Sequence, residues 1–328
     1  MFEADQVDFT SLRAWILSDG KAGHVNQSVG VAEALGLSYE VIPLKPKRFG
    51  KLISWIDPFL GDKTLFPPDV PDFVFAAGNG TVAIHRALKL RYPHLFSVQM
   101  MRPRGGTFPF DVVAVPAHDG LAETDRVVTT TGAPNKVTAQ GLAEAVKDWS
   151  DRFKPLGKRK LGVLVGGASK HAGFTVDDAK ALALGVLSLK KAGGFGLMVT
   201  TSRRTGAAQT ALLQELLGGE NVFFWDGQGN NPYLAILGAA DALVVTADSV
   251  SMVSEGCTAG KPVHVFGLSK FTKGKFYRFY DMLTAQGRIA PLGTALFEAP
   301  ALPLADAQKV AGFIRGRYLR HRLQFPQK

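Results

Sequence analysis

Asp248, Ser249 and Ser251 stand where an apolar run, ALVVTA (242–247), gives way to a helical pattern, and Glu255 follows Ser251 four residues later. Residues four apart share one helix face. A carboxylate on that face can accept two hydrogen bonds from vicinal hydroxyls, such as a ribose 2′,3′ pair. The serines and the helix N-terminus can meanwhile hold a diphosphate. A helix cap accounts for one of the small polar residues but leaves Glu255 without a role. The spacing fits a nucleoside diphosphate lying along a helix entrance.

Five further regions carry comparable chemistry. In SDGKAGHVNQS (18–28), Asp19, Gly20, Lys21, Gly23 and His24 lie between a strand pattern and a helix pattern. Glycines admit close backbone approach, and the P-loop spacing GxxxxGK[ST] is absent. His24 is either a general base at neutral pH or a simple helix cap. Asn79, between glycines in AAGNGT (76–81), is a ligand contact or a plain turn residue. Arg102 and Arg104 in MMRPRGG (100–106) either neutralise a phosphate or carboxylate or are solvated loop charges. Gly166, Gly167, Ser169 and Lys170 in VGGASKHAGF (165–174) supply backbone donors, a hydroxyl and a cation suited to a phosphate cradle. Arg203 and Arg204 in TTSRRTG (200–206) add cations to the next strand end. Neither a zinc-ligand spacing nor an Asp-x-Asp pair suited to a metal is present.

These loops need a scaffold that gathers strand ends. Strand-like apolar runs at 13–19, 72–78, 95–101 and 110–116 alternate with helix-like segments at 25–35 and 81–90. After a charged stretch broken by Pro and Gly (147–160), the alternation restarts with strands at 161–167, 195–202, 221–227, 242–247 and 262–267. Such alternation predicts parallel sheets covered by helices on both faces, and the restart predicts two of them. Ligands of such sheets bind beyond the carboxyl ends of the strands. Residues 304–323 read as an amphipathic helix with Ala307, Val310, Ala311, Ile314 and Tyr318 on its apolar side.

Composition narrows the classes. At 328 residues the chain is too long for one small core. Cys257 is the only cysteine, so no intrachain disulfide can form; a buried thiol and a reducing compartment are expected. The first ten residues carry acids rather than an apolar signal core, and no apolar run reaches the ~18 residues of a spanning helix. Net charge is +10, which favours phosphorylated substrates or anionic lipid. RNA-binding aromatic signatures are absent, so nucleic acid is not an expected partner. Basic residues interleave with apolar ones at 45–60 and 270–283, as amphipathic packing or as a membrane-facing surface.

SDGKAGHVNQSVGVAEAL, AAGNGT, GGASKHAGFT, TTSRRT and TADSVSMVSEGCTAGKPVHVF together resemble the mitochondrial-fission "elongated mitochondria" family of plants and bacteria, over nearly the whole chain. Plant members of that family are associated with recruiting a dynamin-like protein to mitochondria. The same stretches are more distantly similar to GT-B glycosyltransferases, notably the peptidoglycan N-acetylglucosaminyltransferase. That resemblance implies an α/β fold of two Rossmann-like domains facing a cleft. Residues 1–152 would form the acceptor side and 153–303 the nucleotide-sugar side, with a terminal helix, 304–328, packing back on the first domain. It implies Glu255 on the donor ribose, Ser249 and Ser251 on the diphosphate, and the turn after NVFFWD, including Asp226, at the base edge. SDGKAGH departs from that family's usual run of glycines.

The expected reaction is metal-independent and cofactor-free transfer of a sugar from a nucleotide-diphosphate sugar to a lipid-linked or envelope acceptor. His24 would take the acceptor proton. Lys21, Lys170 or Arg203 and the helix entrance at Ser249 would stabilise the leaving diphosphate. Two alternatives stay open. One is nucleotide-sugar 2-epimerisation, with Asp19 and Asp248 as acid and base. The other is non-catalytic recruitment at an anionic membrane surface. The expected location is the cytoplasm, peripheral at the inner membrane.

Overall fold

Unbroken apolar runs such as FVFAA and ALVVT leave neither strand face fit for water and become buried parallel strands. The computed structural model describes residues 7–44, 69–168, 173–225 and 227–325. The chain begins with β1 (Arg13–Ser18), α1 (Ala22–Leu35), β2 (Ser38–Pro43), β3 (Phe73–Ala77), α2 (Val82–Arg91), β4 (Phe96–Met100), β5 (Val112–Pro116) and β6 (Val127–Thr130). It continues with α3 (Ala139–Asp148), α4 (Ser150–Phe153), β7 (Lys160–Val165), α5 (Val176–Gly193), β8 (Gly196–Thr201), α6 (Ala207–Leu217), β9 (Val222–Trp225) and α7 (Tyr233–Ala239). Then follow β10 (Ala242–Thr246), α8 (Val250–Thr258), β11 (Val263–Phe266), α9 (Gly274–Ala285), β12 (Ile289–Pro291) and α10 (Asp306–Gln324).

The strands form two parallel six-stranded sheets, β2-β1-β3-β4-β5-β6 and β12-β11-β10-β7-β8-β9. Counted from β7, the second sheet has the Rossmann order 3-2-1-4-5-6. Each sheet therefore has a point where the strand order reverses, between β1 and β3 in the first and between β7 and β10 in the second. Loops leaving the carboxyl ends diverge there and open a crevice for ligands. The sequence reading missed β2 and β6, the two edge strands of the first sheet; β2 is mostly exposed and lacks an apolar run.

The chain divides into two compact units, Met1–Lys136 with Ala305–Lys328, and Val137–Leu304. The boundary expected at residue 152 is thus corrected to 136. The reason is packing: Val137, Trp149, Phe153 and Leu156 join the second core beside Ile236 and Leu237. Trp149 and Phe153 also set their rings against Phe223 at 5.7 and 5.4 Å. The helix α3 lies against α7 so closely that a Cβ at Gly238 would meet Val146 Cγ2 at 2.6 Å.

In the first unit, α10 covers one face of the sheet and lies along α1. Ala307, Val310, Ala311, Ile314 and Tyr318 are all buried in the core with Phe73, Phe75 and Phe96. Its Asp306 carboxylate accepts from Thr131 N at 2.8 Å and Gly132 N at 2.7 Å, pinning the helix start. Cys257 is buried in the second core. Among the described residues no helix is long and apolar enough to cross a membrane.

Candidate functional site

At the reversal point of the first sheet, the loop after β1 carries Asp19 and Lys21, and His24 follows in the first turn of α1. Gly20 makes the turn with φ +82°, and Gly23 lies within the helix start. Lys21 occupies the N-cap position without a side-chain cap, so the capping role open to this segment is not filled by His24. The imidazole turns back instead: Nδ1 lies 3.1 Å from both Asp19 oxygens. Lys21 Nζ donates to Asp19 Oδ2 at 2.5 Å, so this ammonium is engaged with the carboxylate rather than free. Burial alone would raise the Asp19 carboxyl, but the Lys21 hydrogen bond and the charges of His24 and Lys21 outweigh it and hold the group ionised below its ordinary value. Burial pushes His24 below its ordinary value, against the pull of Asp19, so the ring is neutral at pH 7.

The loop after β3 forms the other wall. Gly78 has φ +76°, and a Cβ there would lie 2.3 Å from His24 Cε1. Asn79 Oδ1 accepts from Arg104 N at 2.8 Å, which ties this loop to the one after β4. Arg102 Nη1 donates to Asp119 O at 3.3 Å, and Arg86 holds Gly106 O and Phe108 O. Arg102 and Arg104 are exposed.

At the reversal point of the second sheet, the loops after β7, β8 and β10 are stapled together. Gly166 N donates to Thr246 Oγ1 at 2.8 Å and Gly167 N to Asp248 Oδ2 at 3.1 Å. Asp248 also accepts from Thr246 Oγ1 at 2.7 Å and pairs with Arg204 Nη2 at 2.9 Å. A Cβ would lie 2.3 Å from Asp248 Oδ1 at Gly166 and 2.0 Å from Arg204 O at Gly167. The N–H groups of both glycines read as a phosphate cradle are thus engaged within the protein, by Thr246 and Asp248. Asp248 is likewise a brace between loops rather than an open ligand group. Ser169, Lys170 and Asp226 lie outside the described residues, as does the basic stretch 45–60.

The helix α8 keeps its donors. Ser249 is the N-cap and accepts from Met252 N at 3.4 Å. The N–H groups of Val250 and Ser251 precede any intrahelical acceptor. The Ser251 hydroxyl and the exposed Arg203 side chain have no partner among the described residues. Glu255, four residues beyond Ser251, is buried, and Tyr233 at the start of α7 donates its hydroxyl to Glu255 Oε2. Burial and the Glu255 charge push the Tyr233 phenol far above its ordinary value, so it remains a donor. Sequence reading missed Tyr233 because nothing local marks a bond across 22 residues. Among the described residues no group of His, Cys, Asp and Glu has the arrangement of a metal site.

The profile of the family described as Mitochondrial fission ELM1 matches residues 22–318. The chain belongs to this family. The Arabidopsis thaliana mitochondrial fission protein ELM1 is 32% identical over 246 residues, 68% of this chain and 57% of the plant protein. The chain thus spans little more than half the length of that ELM1 relative. The Rickettsia prowazekii (strain Madrid E) protein RP120 is 24% identical over 349 residues, covering 93% of this chain and 98% of its own. Among solved structures, the UDP-GlcNAc 2-epimerase of Methanocaldococcus jannaschii, in complex with UDP-GlcNAc and UDP, superposes with a TM-score of 0.53 at 12% identity, covering 94% of this chain and 99% of its own. S. aureus MnaA, solved with UDP, gives 0.50 at 14% identity, covering 94% and 95%. This ELM1-family chain has an α/β, GT-B-like fold built on two Rossmann-type sheets.

Proposed function

We propose that the protein is a glycosyltransferase that takes its sugar from a nucleoside diphosphate donor held on the second unit. The observation that carries this reading is the entrance of α8. It offers orphan N–H groups at Val250 and Ser251, a free hydroxyl at Ser251, and the Tyr233–Glu255 pair one turn further along, and we assign Arg203, in the loop after β8, as the cation of the site. A diphosphate suits the helix entrance, and a ribose diol suits the carboxylate beyond it. The UDP-bearing structures of similar fold support this choice of ligand class. We assign His24, neutral and backed by Asp19, as the base for the acceptor hydroxyl.

The acceptor oxygen bonds to the anomeric carbon while its proton passes to His24. The bond from that carbon to the diphosphate oxygen breaks, and the nucleoside diphosphate leaves with the electron pair. Positive groups preorganised at the diphosphate stabilise the charge that develops there, an effect worth several kcal/mol. Epimerisation is the weaker reading. Its two candidate carboxylates are both committed, Asp248 to Arg204 and Asp19 to Lys21 and His24.

Thermal shift with a panel of nucleoside diphosphates and their sugars tests the donor site. Uridine diphosphate is expected to raise Tm, and Glu255→Gln to reduce that rise. His24→Ala is expected to lower transfer by about 10²–10⁴-fold with the Tm rise intact. If no nucleoside diphosphate raises Tm, the reading fails and recruitment of a partner at a membrane surface takes its place.

A further inference from the structure

The Asp19 side chain is nine-tenths buried, and both oxygens are engaged. A carboxylate accepts and does not donate, so the imidazole nitrogen facing it carries the proton. His24 is then the Nδ1–H tautomer. Its Nε2 lone pair has no hydrogen-bond partner among the described residues and is not a buried atom. Two glycines make room for this geometry. A Cβ at Gly78 would strike His24 Cε1 at 2.3 Å, and one at Gly80 would lie 3.0 Å from Asp19 Oδ2. The β3–α2 loop is a wall cut to the outline of the Asp19–His24 pair.

We propose that Asp19 is the positioning residue of the transfer reaction: it fixes His24 as the Nδ1–H tautomer and leaves Nε2 to take the acceptor proton, while Lys21 acts through Asp19 rather than on the leaving diphosphate. The reaction named here rests on the transferase reading; the tautomer and its charge coupling belong to the chain itself. When Nε2 accepts the proton, the imidazolium that forms stands 3.1 Å from the Asp19 carboxylate, which stabilises it.

The charged groups acting on the ring are Asp19 and Lys21, both from the β1–α1 loop. The Gly78–Thr81 loop packed against the ring carries no charge. A base works in its neutral form, so activity rises with pH through the pKa of His24. Asp19 raises that pKa and Lys21 lowers it. Asp19→Asn therefore moves the acid limb of the rate profile to lower pH, and Lys21→Met moves it to higher pH.

Full-length protein labelled with 15N-histidine tests this directly, with the His24 signals assigned by their loss in His24→Gln. Wild type is expected to show Nδ1–H. Asp19→Asn is expected to mix the tautomers and lower the titration midpoint; Lys21→Met is expected to keep the tautomer and raise the midpoint. In a transfer assay, Asp19→Asn is expected to lose about 10²–10⁴-fold in kcat/KM, with its acid limb displaced and stabilisation by uridine diphosphate kept. An Nε2–H tautomer in wild type, or an unchanged tautomer and midpoint in Asp19→Asn, overturns the proposal. A wild type with the expected tautomer that transfers no sugar overturns the transferase reading and leaves the Asp19–His24 assignment standing.

Discussion

Gly78 gives His24 the space that any other residue would fill. Its φ of +76° adds a second demand, because side chains other than glycine are strained in that region. Gly78→Ala is expected to push the imidazole off Asp19 and reduce transfer nearly as far as His24→Ala, about 10²-fold or more. Because the defect is confined to the first sheet, the Tm rise with uridine diphosphate should persist; parallel loss of both would show that the glycine serves the fold at large. His24 was legible in the sequence as a titratable side chain at a strand-to-helix turn. Its partner was not, because Asp19 reaches it by bending back from a loop, a relation that no fixed helical or strand spacing encodes. The commitment of Asp248 was hidden for a related reason. Its cation, Arg204, comes from another loop 44 residues away, and only the stapling of the strand ends brings them to 2.9 Å. Residue types therefore announce that a loop can do chemistry, while the partners that use up those groups are tertiary facts.

Central strands were legible because both faces must be apolar, which leaves an uninterrupted signature such as FVFAA or ALVVT. β2 was not, since SYEVIP carries an acid and a proline and exposes most of its residues at a sheet edge. The same logic explains the misplaced boundary. α3 is amphipathic with no residue fully buried, so its pattern says that it packs without saying on which core. Its partner is α7, and the contact is set by Gly238, whose Cβ would lie 2.6 Å from Val146 Cγ2 and 3.0 Å from Leu142 O. Gly238→Ala is expected to force the two helices apart. Overpacking of this kind costs about 1–3 kcal/mol, read as a lower denaturant midpoint with an unchanged m-value. A second change, Val146→Ala, removes the obstructing methyl and should restore part of the loss, which a mere change of helix propensity would not allow.

The two units differ in how the chain builds them. Val137–Leu304 is continuous, with its core drawn from its own residues, whereas the first unit needs Ala305–Lys328 to complete its core. Burying each large apolar side chain contributes about 1.5–3 kcal/mol, so Val310, Ile314 and Tyr318 together carry several kcal/mol. That is a large share of the ~5–15 kcal/mol by which a domain is stable. A fragment of residues 137–304 is expected to unfold cooperatively on its own. A fragment ending at 136 is expected to lack a cooperative transition until a peptide of residues 305–328 is added, as circular dichroism melts of each fragment and the mixture would reveal. A cooperative transition in the first fragment alone would show that α10 is an ornament of that core rather than part of it.

The order of synthesis follows from that layout. The half that leaves the ribosome earlier is the half that cannot finish, because the strip sealing its phenylalanine-rich sheet is translated after the whole second unit. At roughly 5–20 residues per second, the nascent sheet waits some ~10–30 s for its closing segment. Through that interval it carries an uncovered apolar face beside a neighbour that has already matured, a vulnerable stage at which cellular chaperones would find their natural client.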